Sequence, residues 1–165
     1  MRLREWIETF RFLHEKARAG KLGESEVPTY HELREDFAAL LLAGQCLTVT
    51  PGQTARGSLR AVRPLPLELL LPSGSQRTAT LDLSAGGFST LVPVSPPAGG
   101  QVEFVLGLAS GPLRGRARVV SAHDEGTSYR ASFKFEPMGP DGTERVLTEV
   151  LDTALQQFEF FAVRT

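Results

Sequence analysis

Apolar residues at Leu3, Trp6, Ile7, Phe10, Leu13 and Ala17 recur at spacings of three and four, which puts them on one stripe of a helix running to about Arg18. The opposite face carries charge. Ala19-Gly20-Lys21-Leu22-Gly23 breaks the pattern, and Thr29 followed by Glu32 is a capping-box pattern for a second helix. That helix holds Tyr30, Leu33, Phe37, Leu40 and Leu41 on its apolar side and is expected to stop at Gly44. Two short amphipathic helices joined by a loop form an αα-hairpin. Such a hairpin cannot bury both stripes alone, so it must dock on the rest of the chain or on a second copy.

From Cys46 the texture changes to short alternating runs separated by Gly, Pro, Ser and Asp, the pattern of an antiparallel β-domain. Strands are expected near residues 46–50, 62–72, 78–84, 87–93, 101–107, 113–122 and 128–136. Tyr129, Ala131, Phe133 and Phe135 face a core, whereas Arg130, Ser132, Lys134 and Glu136 face water. Leu65, Leu67, Leu69 and Leu71 alternate in the same way. Turn residues at Pro72-Ser73-Gly74-Ser75, Pro96-Pro97-Ala98-Gly99-Gly100, Gly111-Pro112 and Asp124-Glu125-Gly126 suggest up-and-down neighbours in a sheet that closes on itself. Pro140 suits the first turn of a last helix, whose stripe is Val146, Leu147, Val150, Leu151, Leu155 and Phe158. The aromatic end, Phe158 to Val163, is expected to pack on the barrel or on a partner. The predicted fold is α+β, mainly β. It is a small antiparallel six- to seven-stranded β-barrel with a C-terminal helix (residues 46–165), preceded by a helical hairpin (residues 1–45).

The composition of the 165-residue chain, 41% hydrophobic and 22% charged, is that of a globular protein rather than a disordered one. Eighteen basic and nineteen acidic residues leave a net charge of −1, so no general field draws the chain to nucleic acid or to an anionic membrane. No apolar run reaches the roughly 20 residues of a membrane helix, and the mixed charges of the start do not read as a secretory signal. A cytoplasmic location is expected. The single cysteine, Cys46, and the scattered histidines at 14, 31 and 123 give no ligand set for a metal. Nothing activates Ser84 as a nucleophile, since its Asp-Leu-Ser-Ala-Gly-Gly surroundings are not a nucleophile elbow. No enzyme, catalytic residue or cofactor is expected. Arg114, Arg116 and Arg118 alternate along one strand as a basic stripe, but no stacking aromatics interleave them, so a solvated strand face is the preferred reading over nucleic-acid binding.

The local basic site lies elsewhere. Arg56, Arg60 and Arg63 occur with no acid before Glu68. A hairpin turn centred between Ser73 and Gly74 would set Arg60 opposite Gly87 and Arg63 opposite Ser84. The returning strand then delivers Asp82-Leu83-Ser84-Ala85-Gly86-Gly87 beside the arginines. Taken alone, that segment is equally suited to turning the chain, with its glycines supplying positive φ.

The pair of motifs resembles the PilZ domain, a family of small bacterial β-barrels that bind the second messenger cyclic di-guanylate (c-di-GMP). RxxxR occurs as Arg56-Gly57-Ser58-Leu59-Arg60 and [DN]xSxxG as Asp82-Leu83-Ser84-Ala85-Gly86-Gly87, in the family's order, and the resemblance spans about residues 50–157. It implies that Arg56 and Arg60 contact phosphate and guanine, that Asp82 accepts from guanine N–H donors, and that Ser84 bonds ligand polar atoms. Gly87, helped by Gly86, would let ligand and backbone approach closely, and Arg63 is an added candidate outside the motif. Arginine suits a dianion with two guanines because its fork pairs bidentately with phosphate and with the O6/N7 edge.

Residues 51–59 are rich in Gly, Thr and Ser, and are expected to be mobile until a multivalent anion ties both arginines to the barrel. Ordering that loop would relay the ligand to a protein partner, or to a second copy through the N-terminal helices. The alternative within the family is an adaptor for proteins that binds no nucleotide.

Overall fold

The computed structural model describes residues 3–47 and 60–162. Residues 1–59 and 60–165 form two compact units. In the first, α1 (Leu3–Arg18) and α2 (Val27–Leu47) pair through Ile7, Phe10, Leu13, Tyr30 and Phe37, all buried. The ring of Phe10 lies 5.0 Å from that of Phe37 and 6.0 Å from that of Tyr30, while Trp6 lies 5.9 Å from Phe37. The buried His14 sets Nδ1 2.9 Å from the Tyr30 hydroxyl.

α2 departs from expectation at both ends. It starts ahead of Thr29 because Pro28, which has no N–H to leave unpaired, suits a first helical turn. Glu26 just before it accepts from the Gly23 N–H at 3.0 Å and from Lys16 Nζ at 2.6 Å. At the other end the helix passes Gly44 and continues to Leu47, so Cys46 and Leu47 are helical rather than the start of a strand. One glycine costs a helix only about 1 kcal/mol, which the preceding run of Ala and Leu offsets. Residues 48–50, the remainder of that expected strand, lie outside the described residues.

The second unit contains β1 (Arg60–Ala61), β2 (Pro66–Leu71), β3 (Gly74–Ser84), β4 (Gly87–Val92), β5 (Gln101–Leu108), β6 (Gly111–Asp124), β7 (Tyr129–Phe135) and α3 (Gly139–Ala162). The sheet order β3-β2-β5-β6-β7-β4, closed by pairing of β3 with β4, makes a six-stranded antiparallel barrel with β1 added on β3. The α+β, mainly β architecture is as the sequence predicts. The neighbours are not simply up-and-down, however. Residues 93–100 cross from β4 to β5, so β2 pairs with β5 and β4 with β7. Mutual backbone bonds of 2.9 Å between Gly99 and Gly100 and Val119 fasten that crossing.

The single strand expected over 62–72 is broken into β1 and β2, because Pro64 and Pro66 cannot donate to a ladder. The break is held by Thr80, whose Oγ1 accepts from the Leu65 N–H at 2.9 Å and donates to the Arg63 carbonyl at 2.6 Å. Leu67, Leu69 and Leu71 point inward as their alternation predicts, joining Phe88, Phe104, Leu106 and Phe133. Phe88 stacks on Phe133 at 5.1 Å and meets Phe104 edge-on at 5.5 Å.

Two outcomes follow. Phe88→Ala should lower unfolding stability by about 3–5 kcal/mol, through lost burial and the cavity left behind. Urea denaturation followed by circular dichroism measures it, and an unchanged midpoint would refute the packing described. The hydrogen bond from Lys16, with that from Gly23, holds the Glu26 carboxyl below the usual glutamate range. A lowered folded value favours folding above the unfolded pKa, and that contribution disappears as pH falls through the folded value. Acid titration of the fluorescence of Trp6, the sole tryptophan, should therefore show part of the hairpin's acid sensitivity missing in Glu26→Gln.

Candidate functional site

The register of β3 decides which of its side chains reach the outer surface. Thr80 pairs with Thr90, but the next pairs are Asp82 with Ser89 and Leu83 with Phe88, so Leu81 is an extra residue in a bulge. The bulge swaps the faces of the strand. Thr80 and Thr90 share the inner face before it; Leu83 takes that face after it, opposite the core residue Phe88, and Asp82 and Ser84 turn outward.

The hairpin turn falls on Pro72-Ser73, with Leu71 opposite Gly74, one position earlier than expected. Proline at the second turn position and glycine at the fourth explain the choice, and Gly74 adopts φ 119°. That change, with a further one-residue shift between β2 and β1, sets Arg60 opposite Ser84, not Gly87. Arg63 lies opposite no strand residue in the ladder and is not paired with Ser84. Its guanidinium turns to α3 instead, 3.2 Å from Thr153 Oγ1 and 3.4 Å from Glu149 Oε1.

Arg60 and Asp82 nevertheless meet, with Nη1 3.3 Å from Oδ1. The other carboxylate oxygen, Oδ2, receives Arg130 Nη2 at 3.4 Å. Asp82 is thus clasped by two guanidinium groups, its side chain only 8% exposed against 36% and 47% for the arginines. The Ser84 hydroxyl accepts from the Gly86 N–H at 3.3 Å and donates to the Gly87 carbonyl at 3.4 Å, so this serine does turn the chain. The two glycines differ. A Cβ on Gly87 would stand 1.9 Å from the Phe133 carbonyl oxygen, where β4 runs against β7, whereas one on Gly86 meets nothing nearer than Ser84 Oγ at 3.9 Å. Neither glycine has positive φ, so the chain turns here without the left-handed conformation expected of them. Arg56 lies outside the described residues.

Arg130 is the member that sequence patterning missed. Its alternation sets it on the outer face, but only the pairing of β7 with β4, which joins Leu91 to Arg130 39 residues further along the chain, brings it near Asp82. No local motif carries that information. Beside the β3–β4 turn lies a groove of about 480 Å³, lined among others by Gly86, Arg118, Lys134, Glu136 and Met138. Along β6 the basic row is interleaved with acids: Arg116 lies 3.9 Å from Glu103, and Arg118 lies 3.2 Å from Glu136. Among the described residues no group of three or more His, Cys, Asp or Glu could hold a metal ion, and no helix is long and apolar enough to cross a membrane.

The sequence model of the PilZ domain matches residues 54–152, and the chain belongs to that family. No curated protein matches the chain. Among solved structures it is similar to YcgR of Escherichia coli in complex with c-di-GMP, at 19% identity and TM-score 0.58, covering 67% of this chain and 50% of that one. It is similar to the MrkH–c-di-GMP complex of K. pneumonia at 19% identity and TM-score 0.57, covering 65% and 56%. The inhibitor of motility MotI of Bacillus subtilis aligns at 15% identity and TM-score 0.56, covering 63% and 53%. The aligned part spans about half the length of these three structures.

The contrast between the glycines is testable. Gly87→Ala must push β4 from β7 and should cost about 3 kcal/mol or more, while Gly86→Ala should stay within about 0.5 kcal/mol of the parent. Thermal and urea melts of both variants decide it; equal stabilities would show that the close approach at Gly87 is not a real constraint.

Proposed function

We propose that the protein is a receptor for c-di-GMP that binds the dinucleotide on the outer face of the barrel and relays it to a protein partner. The observation that carries this reading is the clasped Asp82, a nearly buried carboxylate between two half-exposed arginines, where the two motif segments meet. In this reading Arg56 and Arg60 take phosphate and guanine edges, Asp82 accepts from the guanine N–H donors, and Ser84 adds a hydroxyl contact. Gly86 leaves open backbone for the ligand, and Gly87 keeps β4 close enough to β7 for the face to form. Arg63 serves from the other side, tying the strap between β1 and β2 to α3.

The relay runs through the segment that ends in Arg60. A ligand gripped by both Arg56 and Arg60 fixes that segment, and Arg63 and the bond from Gln157 to the Val62 carbonyl at 3.5 Å carry the constraint on to α3. The receiving partner is a protein or a second copy, for which the hairpin offers the exposed Phe12 and Leu40. An adaptor without nucleotide is the second reading, favoured by the internal bonds that already satisfy Ser84.

Titration calorimetry of c-di-GMP against the intact chain separates the two. The receptor reading expects micromolar or tighter binding, weakened tenfold to a hundredfold in Arg60→Ala, the range of about 1.5–3 kcal/mol for a lost hydrogen bond to a charged group. Silence from the parent protein selects the adaptor. Hydrogen exchange should protect residues 51–60 when ligand is added, and identical exchange in both states would refute the relay.

A further inference from the structure

The outer face beside the clasp continues across three more strands. Asp82 on β3 lies opposite Ser89 on β4, Ser89 opposite Ser132 on β7, and Ser132 opposite Ser121 on β6. Directly opposed residues share a face, and neighbouring strands lie about 4.8 Å apart, so these three hydroxyls form a row of short side chains leading away from the carboxylate. Along β7 itself Arg130, Ser132 and Lys134 alternate outward at roughly 7 Å intervals. A hydroxyl therefore sits between a guanidinium and an ammonium on one strand, above a floor of serines.

Two further observations point to a ligand there. The Ser89 hydroxyl is buried, with the residue 1% exposed, and its Oγ has no hydrogen-bond partner. Buried polar groups are normally satisfied, and an exception calls for a cause. Lys134 also lines the groove beside Gly86, which leaves space at that end of the row.

Resting on the c-di-GMP reading, we propose that Arg130, Ser132 and Lys134 on β7 form a phosphate seat, and that Arg130 is a ligand-binding guanidinium exchanged from Asp82 to the ligand. In the unbound protein Arg130 occupies Asp82 Oδ2, the oxygen a guanine would need if its N1–H and N2–H were both to be accepted. Ligand entry releases Arg130 from the carboxylate, the purine N–H donors replace it, and the freed fork closes on a phosphate beside Lys134. In that arrangement the Ser89 hydroxyl, directly opposite Asp82, gains the partner it lacks. The exchange conserves hydrogen bonds, since each group that loses a partner within the protein gains one on the ligand, and Arg60 still neutralises Asp82. Half-exposed ion pairs are weak enough to be traded in this way.

The test is calorimetry with c-di-GMP on the parent chain, Arg130→Ala, Lys134→Ala and, as a distant control, Arg116→Ala on β6. The expected result is at least a tenfold loss of affinity in each of the first two variants and less than a twofold change in the control. Lys134→Ala separates a phosphate seat from mere positioning of Asp82, because Lys134 makes no contact with that carboxylate. Arg130→Gln and Lys134→Gln replace any alanine variant whose melting temperature falls. Parent-like binding by both variants, with the parent binding tightly, overturns this seat and leaves the receptor reading standing. A loss confined to Arg130 overturns it too, by reducing Arg130 to a positioning residue. No binding by the parent removes the receptor reading itself.

Discussion

A carboxylate set almost out of water on the outside of a barrel has to be paired. Asp82 meets that requirement through Arg60 and Arg130, one on each oxygen. Leaving such a group without its cations would cost on the order of 3–5 kcal/mol, while each half-exposed pair adds under about 1 kcal/mol of net stability. The clasp is therefore better explained as a means of keeping a desolvated acceptor ready than as a stabilising bridge. It collects cations from β1 and from β7, strands far apart in the chain, and so depends on the barrel having closed.

The clasp depends equally on the bulge at Leu81. Without the extra residue, Asp82 and Ser84 would continue the alternation of Thr80 into the core, and the carboxylate would face Phe88 and Phe104. One inserted residue turns the acid outward and brings Leu83 inward. Gly87 is the second local requirement, since the Phe133 carbonyl occupies the space any side chain there would need. The segment from Asp82 to Gly87 thus combines two tasks that compete in its sequence: it turns the chain between β3 and β4, and it presents polar atoms on the outer face.

The hairpin stripe, the inward leucines of β2 and the closing helix were legible because each is a local periodicity backed by burial. The convergence of Arg60 with Asp82 is legible too, although the turn falls one position earlier than the pattern predicts. The turn and the break between β1 and β2 together move the residue opposite Arg60 from Gly87 to Ser84, yet a flexible arginine reaches across such a shift. Arg63 was less forgiving, because its partners Glu149 and Thr153 lie on a helix that no strand register could place beside it. Arg130 and the crossing of residues 93–100 were hidden for the same reason: which strands adjoin in a barrel is fixed by packing of the whole, not by neighbours in sequence. The extent of α2 past Gly44 was missed where a weak local signal, one glycine, lost to the apolar run before it.

The central claim is that the polar face built around Asp82 is where c-di-GMP binds. Amide nuclear magnetic resonance spectra of the intact chain, titrated with the dinucleotide, test it most directly. The account predicts shifts concentrated at Asp82, Ser84, Gly86, Ser89 and Arg130, with the packed core of the α1–α2 hairpin, Phe10 and Phe37, unmoved. Saturable shifts confined to the opposite wall of the barrel, around Glu68, Glu103 and Arg114, would contradict it.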